Sequence, residues 1–461
     1  MERASVVLLA LASIMPAAEP PESNSPVDFT TDSKTVCRDA QSTGDCAVLT
    51  NNLGSVYFAA RKYNEAELLF TRAISLWATG TAPSNDLAKA FHNLGAVYRA
   101  EGRYVDAARF YLRALDLRES LSGPRDVSLL PILNELGLVY LEMADYAEAE
   151  KTIQRAIAIV EAHHAEQTTS GAEALSAWGL VLETQGKNTD AIRWFNQALM
   201  ARETFEGRES AATADIVNNL ALAYRQKGDL TQAESLYRRA LETYRHSSDP
   251  KSLVAVLNNL GRLLTEQARY KDAEQLYREA IGVGEQQLGP RHPDVAAALN
   301  GFAKLMIARR KFSEAETLLH RAEQIDRANF AASHPRIGYD LSNEAVLAAD
   351  RKHYADAEDL CKKSDAILEA ALPPNHPEVG KVVARLADIY RLEGRLDEAE
   401  PLYRRALNIL GQAWGQENPQ LLAVLQTYED LLRARQKYAE AESVQVRSTK
   451  IRVVEALRES N

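Results

Sequence analysis

Nine histidines and three cysteines are the side chains of this 461-residue chain best suited to metal or nucleophilic chemistry, and their spacing argues against both. His292, His334 and His376 recur every 42 residues, each followed by proline. A metal site needs ligands gathered at short fixed spacings, so three His-Pro pairs one period apart read better as helix starts. Pro suits the first turn, where its missing N–H costs nothing. His163 and His164 stand together without a Cys or carboxylate cluster at ligand spacing. Cys361 falls among large apolar residues and reads as a small buried hydrophobe. Cys37 and Cys46 lie nine apart. In an oxidising compartment they could pair, closing a loop that stabilises by roughly 2–3 kcal/mol; in a reducing one they would stay thiols. No P-loop, no Gly-x-Ser-x-Gly, no His-Glu-x-x-His and no Gly-x-Gly-x-x-Gly after a strand occurs. No metal, no cofactor and no catalysis are expected.

The remaining chemistry is hydrogen bonding and charge. Asn51, Asn134, Asn218, Asn258 and Asn300 stand in one register, with His92 and Ser176 filling the gaps, and Asn93 belongs to the adjoining one. Asn is a mediocre helix former because its side chain competes for backbone hydrogen bonds. Its recurrence in mid-helix therefore has a purpose. One use is to bind the backbone of an extended peptide, since a carboxamide both donates and accepts. The other is to bond the neighbouring repeat and stiffen the stack. Arg99, Arg225 and Arg391 share a further register, and Arg262 with Lys304 another. Against a net charge of −10, such a basic lining would favour acidic segments or a terminal carboxylate. Asp388 and Asp430 in the same columns would change its polarity toward the C-terminal end. Arg72, Arg113, Arg155, Arg239, Arg321 and Arg405 form a column that reads as solvated outer surface.

These registers exist because the chain repeats. A small residue follows an apolar one at Gly54, Gly95, Gly137, Gly179, Ala221, Gly261, Ala303, Ala345 and Ala387, with Glu429 in the same column, at steps of 40 to 42. Twelve residues after each anchor stands an alanine, from Ala66 to Ala441, in all ten copies. Large side chains recur four after that alanine: Phe70, Tyr111, Ile153, Phe195, Tyr237, Tyr277, Leu319, Cys361 and Tyr403. Such spacing predicts two helices, A and B, joined in a hairpin, with the small anchor facing the helix B alanine. A lone hairpin cannot cover both of its apolar faces, so neighbours must stack.

The pattern resembles the tetratricopeptide repeat. Its 42-residue period, eight longer than usual, is similar to the kinesin light chain-like form. The residues that carry the likeness are Asn258-Asn259-Leu260-Gly261, Tyr270 to Tyr277 and Leu288-Gly289-Pro290-Arg291-His292-Pro293. The resemblance implies an all-α fold, an α-solenoid in which about ten helical hairpins wind a right-handed superhelix with the A helices lining a concave groove. It also implies a non-catalytic protein-interaction scaffold that holds an extended peptide or partner segment there. The alternative is a structural or envelope assembly factor that self-associates or bridges other proteins. Groove candidates are Asn51, His92, Asn93, Arg99, Asn134, Asn218, Arg225, Asn258, Arg262, Asn300, Lys304 and Arg391.

Composition sets the limits. Only 22 Gly and 16 Pro are present, below average usage, which agrees with a mostly helical chain. An acidic balance, pI about 5.6, excludes a general nucleic-acid binder, which needs a basic face. The apolar run Val6–Met15 is half the length of a membrane span. With Arg3 before it and Ala17 and Ala18 after it, residues 1–18 read as a signal peptide, so the protein is expected to be exported, periplasmic or secreted, with a cytoplasmic location as the alternative. Residues 19–45 read as a linker, 46–448 as the repeat array with a degenerate polar cap as its last copy, and 449–461 as a C-terminal helical tail.

Overall fold

The computed structural model describes residue 37 and residues 42–78, 84–143, 145–247 and 249–459. Residues 1–18 and most of the expected linker lie outside these. Among the described residues there are twenty α-helices and no strand. The first hairpin is α1 (Thr43–Ala59) and α2 (Tyr63–Ala78); the second, α3 (Asn85–Ala100) and α4 (Tyr104–Ser122); the third, α5 (Leu130–Glu142) and α6 (Tyr146–His163). Then follow α7 (Thr169–Thr184) with α8 (Asn188–Glu206), α9 (Ala211–Lys227) with α10 (Leu230–Arg245), and α11 (Pro250–Glu266) with α12 (Tyr270–Val283). The last four are α13 (Pro293–Ala308) with α14 (Phe312–Asn329), α15 (Pro335–Asp350) with α16 (Tyr354–Ala371), α17 (Pro377–Leu392) with α18 (Leu396–Trp414), and α19 (Leu422–Ala434) with α20 (Tyr438–Glu459). Odd helices are A and even helices B.

The hairpins belong to two compact units. Among the described residues one holds 42–143 and 147–166, the other 145–146 and 167–459. In the second unit an A helix packs on its own B helix, each B helix on the next A helix, and successive A helices touch; in the first, α1 to α5 pack in succession and α1 touches α3.

Packing inside a hairpin differs from the expected small-against-alanine contact. The anchor glycine meets the large side chain sixteen residues on. A Cβ at Gly137 would lie 2.2 Å from Ile153 Cδ1, and one at Gly179 would lie 2.6 Å from the Phe195 ring. The anchor is therefore small to admit that side chain, while Ala149 and Ala191 are buried separately. Phe70, Tyr111, Phe195, Tyr237, Tyr277 and Tyr403 are all fully buried, each stabilising by roughly 1.5–3 kcal/mol.

The junctions explain the histidines. His292 Nδ1 accepts from the Asp294 amide at 3.2 Å, His334 Nδ1 from Arg336 at 3.1 Å and His376 Nδ1 from Glu378 at 3.1 Å. Each ring caps its helix by satisfying an amide of the first turn. Asn418 Oδ1 does the same for Gln420 at 2.9 Å.

At the chain ends, helix α1 starts at Thr43, capped by Ser42, and the stretch from residue 449 continues α20, which runs unbroken from Tyr438 to Glu459. Cys37 and Cys46 are joined as a disulfide, which ties the preceding chain to α1. In the last repeat Glu429, at the small position, pairs with Arg433 at 2.7 Å, and Arg433 also donates to Gln445, which stands where others carry an aromatic.

Candidate protein-binding face

The asparagine columns interlock. Asn93 Nδ2 donates to Asn51 Oδ1 at 3.2 Å, Asn259 Nδ2 to Asn218 Oδ1 at 3.1 Å, and Asn343 Nδ2 to Asn300 Oδ1 at 3.3 Å. The residue three before the anchor thus accepts from the one two before the next anchor. Arg385 replaces that donor in the ninth repeat and gives Nη1 to the Ser342 carbonyl at 2.8 Å. Asn51, Asn134, Asn218 and Asn258 are all buried. Asn258 Oδ1 lies over Gly301, where a Cβ would come within 2.4 Å of it. Asn51, Asn218 and Asn258 sit inside the joints between repeats, so a ligand would have to part the repeats to reach them. His92 and Asn93 are half-buried; the His92 ring stands edge-on to Tyr111 at 5.2 Å, and burial lowers its pKa. Asn300 is half-buried too, and gives its Nδ2 to Asp340 Oδ1 at 2.8 Å.

The cations four after the anchor are compensated. Arg99 pairs with Glu135 at 2.8 Å and Glu142 at 3.4 Å, and Arg225 pairs with Glu266. Arg391 Nε donates to Tyr403 Oη at 3.3 Å, and that hydroxyl donates to Asp388. Glu142 and Glu266 both stand five after their own anchor, one repeat later than the arginine they meet. That column, five after the anchor, is the sequence signal for them, and it lies outside the registers singled out above. Burial raises the hydroxyls of Tyr111, Tyr237 and Tyr403 above the ordinary tyrosine value. Arg262 and Lys304 are half-buried on the same helix faces.

Repeats are also stitched together along the B helices. Arg155 meets Glu119 at 2.6 Å, and Arg239, Arg321 and Arg405 meet Glu203, Glu285 and Glu369, each 36 residues earlier. This column is therefore a repeated ion pair across the outer face as well as solvated surface. The glutamate that follows the helix B alanine serves likewise: Arg269 meets Glu234 at 2.7 Å, Arg309 meets Glu274 at 2.5 Å and Arg351 meets Glu316 at 2.9 Å. Each half-exposed pair adds at most about 1 kcal/mol, but repetition fixes the register.

Comparison with known families gives a direct match. The tetratricopeptide repeat pattern covers residues 86–162, 172–246, 252–328, 340–412 and 382–452, and related forms of it cover 134–204 and 46–79. The chain belongs to the tetratricopeptide repeat family. Comparison with curated protein sequences finds no match. Among solved structures, a Rap protein in complex with competence and sporulation factor is similar over 80% of this chain and 98% of its own, at 14% identity and TM-score 0.53. BtubC (BKLC) from P. vanneervenii is similar over 49% of this chain and 89% of its own, at 21% identity and TM-score 0.39. A protein from Podosopora anserina with nearly identical kinesin light chain TPR-like repeats is similar over 43% of this chain and 95% of its own, at 19% identity and TM-score 0.38.

In this tetratricopeptide repeat array Arg262, Asn300, Lys304, Asn343 and Arg391, all on A helices of the second unit, are half-buried. Among the described residues no group of three or more His, Cys, Asp or Glu could hold a metal ion, and no helix is long and apolar enough to cross a membrane.

Proposed function

We propose that the protein is a non-catalytic interaction scaffold whose second unit holds an extended partner segment along the A-helix stripe. The observation that carries this reading is the side-by-side packing of successive A helices, which makes one continuous polar surface from residues that are remote in sequence. The Rap protein supports it, since that structure was solved as a complex. Among the groove candidates, Arg262, Asn300, Lys304 and Arg391 are the contact residues; Asn51, Asn134, Asn218 and Asn258 shape the surface from within. The test is hydrogen exchange on the second unit with and without a captured partner. Slowed exchange confined to α11, α13, α15 and α17 supports the reading, and slowing confined to B helices refutes it.

Self-association is the second reading, favoured by the first repeat. The column five before the anchor and the one two after it are buried in repeats 2 to 10, yet Leu49 is 40% and Val56 is 54% exposed. A concentration-dependent mass in solution, abolished by Leu49→Asp with Val56→Asp, would favour it. We also infer export, supported by the Cys37–Cys46 disulfide, since disulfides persist in oxidising compartments. Amino-terminal sequencing of the native protein that begins near Ala18 or Glu19 agrees with export; a sequence that begins at Met1 contradicts it.

A further inference from the structure

The two ends of the second unit meet. Asn418, at the start of its last repeat, is 3% exposed. Its Oδ1 caps the following turn by accepting from Gln420, and its Nδ2 donates to the Trp414 carbonyl at 3.2 Å. The same Nδ2 donates to the carbonyl of Gln185 at 2.9 Å, across 233 residues, in the A–B turn of the unit's first repeat. His292, His334 and His376 occupy the equivalent junctions, so asparagine stands where this reach is made and histidine where it is not.

Gly186, beside Gln185, completes the fit. A Cβ there would lie 2.6 Å from Asn418 Nδ2. The turn itself does not demand glycine. In the same position of other repeats Arg61, Ala268, Arg310, Lys352 and Gln436 adopt φ between 57° and 65°. Gly228 and Gly394 share the position too, and a Cβ on either would meet nothing within 4 Å. What excludes a side chain at residue 186 is the asparagine from the far end of the unit. A matched pair of this kind, with the reaching asparagine departing from its column and the residue it meets lacking a Cβ, marks a contact built for closure.

We propose that Asn418 and Gly186 form a latch that closes the second unit upon itself, so that its A-helix stripe is enclosed when the latch is shut and open to a long segment when it is released. Its core is one hydrogen bond and the packing of one side chain on a glycine, with Tyr146 beside Trp414 and Glu378. A bound segment that favours one of the two states can shift the balance between them. The enclosing of a partner rests on the groove reading of the preceding section; the closure itself does not.

The test therefore uses no ligand. Spin labels are attached to cysteines introduced at the exposed positions Thr189 and Gln412 of the full chain, where Cys361 is buried and Cys37 and Cys46 are bonded to one another. One short, narrow distance is expected. Gly186→Ala should lengthen and broaden it, and so should Asn418→His, which keeps a helix cap of the kind made by His376. Gly228→Ala, in a turn with open space, should leave it unchanged. A long, broad distance in the parent chain would overturn the latch, as would a short one that survives both latch variants. Loss of partner binding with the distances intact would instead fault the groove reading alone.

Discussion

Asn259 Nδ2 donates to Asn218 Oδ1 across 41 residues, at 3.1 Å, and both side chains are buried. The bond joins two neighbouring A helices, where a stack of otherwise apolar faces could slide. A buried carboxamide that has lost its partner carries the full cost of desolvation, so this pair penalises any other register.

Asn259→Ala should accordingly destabilise the second unit by about 1–3 kcal/mol, because Asn218 Oδ1 is left buried and unpaired. Asn218→Ala with Asn259→Ala should cost less than the two single changes combined. Denaturant unfolding followed by circular dichroism measures all three. Additive losses would show that the two amides act independently.

Gly137 is the tightest anchor in the array, with Ile153 Cδ1 2.2 Å from where a Cβ would stand. Gly137→Val should destabilise its hairpin by about 1–3 kcal/mol through overpacking. Ile153→Ala in the same chain should recover part of that loss by vacating the space. Thermal unfolding of the single and double variants checks the expectation.

Two groups set opposite pH trends at the joint of the eighth repeat. Burial, with Arg336 adding to it, lowers the His334 pKa to about 3. A histidine held neutral in the fold contributes stability that is complete above its unfolded value, about 6.5, and is lost as pH falls toward 3. Glu344 stands where other repeats carry an apolar residue, and burial beside Glu323 raises its pKa to about 7. A raised carboxyl contributes in the other direction: its stability is complete below about 4.3 and is lost as pH rises through 7. Glu344→Leu should therefore raise the melting temperature more at pH 8 than at pH 5. His334→Asn, which keeps a cap of the kind Asn418 makes, should reduce the loss between pH 6 and pH 4. Melting temperatures across that range decide both.

Reduction of the Cys37–Cys46 disulfide should cost the first repeat about 2–3 kcal/mol, the loop-closure value for so short a ring. Cys361, fully buried with its thiol pushed up to about 11 by burial, should stay unlabelled by a thiol reagent until the protein unfolds. Mass spectrometry after labelling, with and without reductant, reads both.

The fold was legible in the sequence because a period of 42 repeats ten times, and apolar positions at helical spacing leave few alternatives. The His-Pro junctions were legible for the same reason, since capping is local. The site was less so. Columns such as Asn51, Asn134, Asn218 and Asn258 identify residues that share a role, but a helical period does not say whether a position halfway round the helix faces the lumen or the next repeat. Nor does one column name its partner: Arg225 reads as a free cation until Glu266, one repeat later and in another register, is placed beside it. The contact of Asn418 with Gln185 depends on the curvature summed over seven hairpins, which no local pattern encodes.

The central claim, that partners are held along the A-helix stripe of the second unit, is tested most directly by affinity capture with paired baits. Wild type and Arg262→Glu with Lys304→Glu are compared under identical conditions, with circular dichroism confirming equal helix content. The stripe reading predicts that the partners recovered by wild type are depleted several-fold from the charge-reversed bait, less so as salt rises, because the contact is partly ionic. Equal recovery of the same partners by both baits at low salt would contradict it.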